Sequence, residues 1–121
     1  PGKAVKQRYA AVLEAQLAAI DAVRPGIGSV QVDRVARESL KKQKLDTAFV
    51  HSTGHGLGLE IHEPPRVARR HGSVLRAGMV ITIEPGVYVE GFGGIRIEDT
   101  VLVTERGCEV LTPTSKELLA I

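Results

Sequence analysis

Apolar residues in the first part of the chain recur every three or four positions, and further along they alternate with polar ones. Val5, Tyr9, Leu13, Leu17 and Ile20 fall on one stripe, which predicts an amphipathic helix over Ala4 to Arg24. Pro25-Gly26 ends it, with glycine in its favoured place just past a helix end. Ser29 is expected to N-cap a second helix running to about Lys44, with Val32, Val35, Ala36 and Leu40 as its apolar face. The exposed face of that helix is expected to carry Asp33–Arg37 and Glu38–Lys42 pairs at i,i+4. On this reading the helices are cover and carry no chemistry of their own.

The second part reads as strands. Met79 to Glu84 (MVITIE) is predicted as a strand ended by Pro85-Gly86, and Val87 to Glu90 as another. Gly91, Gly93 and Gly94 make a turn without dinucleotide-binding spacing. Ile95 to Thr104 is a second clear strand, and Gly107 turns the chain into Glu109 to Leu111. Arg66 to Arg76 is basic and irregular and reads as a mobile charged loop, and Ser115 is expected to cap a last short helix. Helices followed by strands predict an α+β layer, with both helices on one face of an antiparallel sheet. The sequence contains no internal repeat and no low-complexity linker.

Composition narrows the classes. The 121 residues are enough for one domain with a real core. Apolar content of 43% and charged content of 25% describe an ordinary globular chain. The net charge is +2, with two Phe, two Tyr and no Trp to stack on bases, so no nucleic-acid partner is expected. Cys108 is the single cysteine, which excludes an internal disulfide and a cysteine-based zinc cluster. No apolar run approaches membrane-spanning length and the opening residues do not read as a signal peptide, so no membrane partner is expected and a cytoplasmic location is. The start at Pro1-Gly2, without a methionine, reads as the beginning of a piece of something longer.

Candidate chemistry concentrates in Phe49 to Pro65, FVHSTGHGLGLEIHEPP. Three of the four histidines, His51, His55 and His62, lie within twelve residues there, interleaved with Gly54, Gly56 and Gly58. Imidazole is a frequent metal ligand and the usual proton carrier near neutral pH. His51 and His55 have the spacing of a helical HExxH site, but no Glu follows His51 and Gly54 interrupts it, so this is not a helical zinc site. The bland alternative for this stretch alone is a glycine-rich loop with surface histidines. Two carboxylates change the balance. Alternation puts Thr82 and Glu84 on one face of their strand, and Arg96, Glu98 and Thr100 on one face of the later strand. A carboxylate among apolar strand residues costs several kcal/mol unless it is paired or bound to a cation. The plain alternatives are an Arg96–Glu98 salt bridge, ~7 Å along one face, and a solvated turn position for Glu84. One His with two strand-borne Glu suits a hard or borderline divalent metal.

These motifs resemble a family. His55-Gly56, Gly58-Leu59-Glu60-Ile61-His62-Glu63, Gly78 to Tyr88 (GMVITIEPGVY) and Gly94 to Asp99 (GIRIED) are similar to the Xaa-Pro peptidases, prolidase and aminopeptidase P. That group has the pita-bread fold, shared with methionine aminopeptidase. The resemblance implies metal-dependent hydrolysis of the Xaa-Pro bond, on peptide substrates with proline second. It implies two divalent ions, manganese or cobalt, held by two Asp, one His and two Glu. By motif, His55 and Glu84 would ligate one ion and Glu98 would bridge both. Glu84 would also accept a proton from water. His62 would meet the substrate and the developing oxyanion, His51 would line the substrate pocket, and Arg96 would orient the acidic ligands. The Ile-Arg-Ile before Glu98, and Asp99 after it, favour the proline-specific branch over methionine aminopeptidase.

The two Asp ligands expected upstream of the first helix have no counterpart, since Asp21, Asp33 and Asp46 match no family motif. The resemblance therefore implies that residues 1–121 are the C-terminal half of a catalytic domain, one half of a pita-bread fold with its sheet curved. Such a fragment is expected to bind at most one ion, weakly, and to be inactive alone. It is also expected to expose a sheet edge and part of an apolar face around Val80, Thr82, Val101 and Val103, and to form an isologous homodimer. The alternatives are a metal-free binding module of the same fold and a methionine aminopeptidase.

Overall fold

In a computed structural model, described here for residues 2–57 and 63–120, the helical periodicities become two helices, α1 (Lys3–Ala22) and α2 (Ser29–Lys42). A short 3-10 turn, Asp46–Ala48, follows. Seven strands come next: β1 Gly54–Gly56, β2 Glu63–Val67, β3 Val80–Ile83, β4 Gly86–Val89, β5 Gly93–Arg96, β6 Asp99–Val103 and β7 Cys108–Val110. Five of them form an antiparallel sheet in the order β2-β1-β3-β6-β7, and β4-β5 is a separate hairpin. The helices pack on each other, α1 also on β3, β4 and β5, and α2 on β2. Two helices on an antiparallel sheet is the α+β arrangement expected.

The core lies between helices and sheet. Val12, Ala15 and Ala19 of α1 and Val32, Ala36 and Leu40 of α2 meet Ile81, Ile83, Val101 and Val103 of the sheet. The stripe buried on α1 is not the one its largest apolar residues suggested. Ala11, Val12, Ala15, Gln16 and Ala19 face inward, while Leu17 is 53% exposed. Alanines let the two helix backbones approach closely, and Tyr9, Leu13 and Ile20 ride at the edge of that contact.

Other expectations also change. Gly28, not Ser29, caps α2, and the Gln31 side chain accepts its backbone N–H at 3.0 Å. The buried Ser29 hydroxyl instead donates to Arg66 O at 2.7 Å and accepts from Ser73 N at 2.9 Å. The Arg66 to Arg76 segment is therefore tied down: Arg66 and Val67 belong to β2, Val67 and Leu75 are fully buried, and Val74 pairs with Gly28. Residues 111–120 form no helix; the segment is held through Tyr9 Oη to Lys116 O at 2.7 Å and Lys116 Nζ to Asp99 at 3.1 Å.

The predicted strand over Ile95 to Thr104 is broken at Ile97-Glu98 into β5 and β6. Its partner is broken opposite, at Glu84-Pro85, between β3 and β4. Proline has no N–H for the ladder. Pairing nevertheless stays in step across the break, with Ile83 opposite Asp99 before it and Gly86 opposite Arg96 after it. β3 to β6 is thus one long antiparallel ribbon interrupted at Glu84 and Glu98. Ile81, Ile83, Val101 and Val103 are all fully buried on the helix side. Val101 and Val103 are therefore not part of an exposed face, and Thr82 is also buried. Leu102, opposite Val80, shares the outer side with it, and both are half-buried.

Candidate functional site

The in-step pairing places Glu84 directly opposite Glu98 at the interruption of the ribbon. Cross-strand neighbours have Cβ atoms about 5 Å apart, and like charges there are destabilising. The Glu98 carboxyl meets that of Glu84 in a side-chain hydrogen bond. That hydrogen bond is the largest influence raising the Glu98 carboxyl above its ordinary value of 4.5, with burial and repulsion from Glu84 adding to it. Arg96 and His55 pull it down through their charge. No Arg96–Glu98 ion pair forms among the described residues; Arg96 is exposed and acts on Glu98 by field alone. Nor is Glu84 a free turn residue: its backbone N–H donates to Thr53 O at 2.6 Å.

His55 reaches this pair from β1. Its backbone N–H donates to Thr82 Oγ1 at 3.1 Å, which sets it beside the strand that carries Glu84. Its Nδ1 lies 2.8 Å from Gly56 O. A carbonyl only accepts, so Nδ1 carries the proton and the lone pair of the neutral ring is on Nε2. β1 and β3 come this close because residue 54 is glycine; a Cβ there would run into the Thr82 carbonyl.

His51 stands on the loop before β1. Nδ1 donates to Ser52 O at 2.7 Å, and Nε2 lies 3.1 Å from Tyr88 Oη on β4. Phe49 and Tyr88 pack edge-on against its ring at 5.1 and 5.4 Å. Gly86 leaves room for it, since a Cβ at that position would lie 3.2 Å from His51 Nε2. An open basin of about 690 Å³ adjoins it, lined by Phe49, Val50, Arg66, Arg69 and Arg70 among others. A second recess of about 420 Å³ is formed by Ser52, Gly54, His55 and Arg66.

The structure thus sets Glu84 opposite Glu98, with His55 close enough to act on Glu98, and puts His51 beside the basin. His62 lies outside the described residues. Among the described residues, no three His, Cys, Asp or Glu side chains converge tightly enough to enclose an ion. The donor chemistry still fits a divalent cation, because a positive charge between two facing carboxylates relieves their repulsion.

The sequence profile of metallopeptidase family M24 matches residues 1–105. The chain belongs to this family. An Xaa-Pro dipeptidase of Pyrococcus furiosus is 50% identical to this M24 chain over 119 residues, 98% of the chain and 34% of the relative. The solved Xaa-Pro dipeptidase from Bacillus anthracis superposes with a TM-score of 0.95 at 44% identity, covering 98% of this chain and 34% of that one. An X-Pro aminopeptidase from Thermotoga maritima superposes at 0.92 with 43% identity, covering 97% and 33%. The M24 chain therefore spans about a third of the length of these relatives, and its α+β architecture is that of a pita-bread protein.

Several residues around this candidate site were given no part in it by the sequence reading. Arg66 stands directly opposite His55 on β2 and lines both recesses. Tyr88 holds His51. Asp33 and Arg37 were expected on an exposed face, yet Asp33 is buried beneath the His51 loop. The signal was present for this pair: Asp33 shares a stripe with Val32, Ala36 and Leu40, and a carboxylate on an apolar stripe needs partners.

Proposed function

We propose that the protein containing this chain hydrolyses the peptide bond before proline, as an Xaa-Pro dipeptidase or aminopeptidase P, with residues 1–121 forming the C-terminal half of its catalytic domain. One observation carries the reading: Glu84 and Glu98 face each other across a ribbon interrupted at that point, with His55 beside them. A cross-strand pair of acids is a poor structural choice, and a divalent cation removes its cost. His55, Glu84 and Glu98 would hold a divalent ion of the manganese or cobalt type, with Glu98 reaching a second one completed by residues outside this chain. Bound there, such ions polarise the scissile carbonyl and make water a better nucleophile.

The chain's own residues supply the rest. Glu84, opposite Glu98 at the break in the ribbon, would accept a proton from the attacking water. His62 meets the developing oxyanion, and His51, fixed by Tyr88 and Ser52, lines the substrate pocket. Arg96 would orient the acidic ligands, and its charge opposes proton uptake by Glu98. Arg66, opposite His55 and on the wall of both recesses, is placed to receive an anionic group of the peptide. The chain alone would hold one ion weakly and would not turn over substrate. Among the described residues no helix is long and apolar enough to cross a membrane, and a cytoplasmic location belongs to the proposal. So does a homodimer, now supported by the open strand edges at β2 and β7 rather than by an apolar face.

Glu98→Ala in the complete natural protein tests the site. Hydrolysis of an Xaa-Pro dipeptide in manganese should vanish, while Arg96→Ala should lose roughly 10–100-fold. Undiminished turnover by Glu98→Ala would remove the reading.

A further inference from the structure

Beneath the loop that carries His51, helix α2 presents one buried acid and one arginine. Asp33, 1% exposed, uses both carboxylate oxygens. Oδ1 accepts from the Thr53 hydroxyl at 2.8 Å and from Thr53 N at 3.3 Å, and Oδ2 accepts from Arg37 Nε at 2.7 Å. The Arg37 fork then spans the loop, Nη1 donating to Phe49 O at 3.1 Å and Nη2 to His51 O at 2.8 Å. Its guanidinium also stacks on the Phe49 ring at 4.2 Å. Three alternate loop residues, Phe49, His51 and Thr53, are thereby bound to one turn of one helix.

What those residues hold in turn matters more. Thr53 O accepts the N–H of Glu84, and the His51 ring lies between Phe49 and Tyr88. We infer that Asp33 and Arg37 are a positioning pair, which through the backbone of residues 49–53 sets where the His51 imidazole and the Glu84 carboxylate stand. An ion pair placed only for stability would not need a fork directed at two carbonyls of a histidine-bearing loop. A planar guanidinium with fixed N–H directions can span Phe49 O and His51 O, whereas a lysine ammonium is a single point of charge. The inference rests on the reading of His51 and Glu84 as substrate- and metal-facing groups, but its geometry can be read without activity.

The test uses the complete natural protein and Arg37→Lys, which keeps the charge and removes the fork, with Arg34→Lys, an exposed position on the same helix, as control. Three readouts are taken: the His51 imidazole resonances of the metal-free protein, manganese affinity by calorimetry, and kcat and KM on an Xaa-Pro dipeptide. Arg37→Lys should shift the His51 resonances, weaken manganese and lower kcat/KM, the last two about 10–100-fold, with Arg34→Lys unchanged. Arg37→Ala should behave likewise and regain part of the loss when millimolar guanidinium is added, because Arg37 borders the open basin. Unmoved His51 resonances and unchanged manganese affinity in a folded Arg37→Lys protein would overturn the inference. If the wild-type protein does not cleave Xaa-Pro peptides, the functional reading falls, and the positioning pair is then decided by the resonances and the manganese affinity.

Discussion

Glu84 and Glu98 could be singled out from sequence because each is an acid ending or interrupting an apolar strand. Their mutual contact could not, because it depends on a register held through a break that alternation alone does not show. Alternation also left an Arg96–Glu98 salt bridge open as an alternative; the strand break at Ile97-Glu98 removes the continuous face that bridge needed. The facing acids have a consequence for pH. The folded chain binds the Glu98 proton more tightly than the unfolded chain, because of the Glu84 hydrogen bond first and burial second. Between the ordinary carboxyl value and the raised one, the unfolded chain therefore binds fewer protons, and stability falls as pH rises through that window. Thermal melts in chelator should show this fall in the wild type and a flatter profile in Glu98→Gln. Equal pH profiles for the two would contradict the pairing.

At the level of elements, both helices and the strands at Val80–Ile83 and Gly86–Val89 were legible from periodicity and from Pro85-Gly86. The buried stripe of α1 was not, because size and hydrophobicity favour Leu17 whereas close helix packing favours Ala15 and Ala19. Gln16 was hidden for the same reason. It is fully buried and donates to Asp99 Oδ2 at 2.6 Å, a contact between residues far apart in sequence. β1 was read only as a glycine-rich loop, since three residues carry no alternation. Its place in the sheet depends on Gly54 lying against the Thr82 carbonyl. Gly54→Ala should force β1 off β3 and cost about 1–3 kcal/mol, the usual range for overpacking. Chemical denaturation would measure it, and a variant as stable as the wild type would show that β1 does not need this approach.

For the molecule as a whole, helices before strands conveyed the α+β layering, and the order of motifs conveyed the family. The expected exposed patch failed because it mixed two faces: Val80 and Thr82 alternate with Ile81 and Ile83, while Val101 and Val103 pair onto the helix side. The chain spans about a third of the length of the relatives it matches, so the proposed activity is one for the complete protein to show. The most direct test is an assay of the complete natural protein on a dipeptide ending in proline and on its alanine-ending counterpart, first in chelator and then with manganese restored. Cleavage of the proline peptide alone, lost in chelator and regained with the metal, is the result predicted here. Failure to cleave it with manganese present, or cleavage that chelator leaves untouched, would contradict the account.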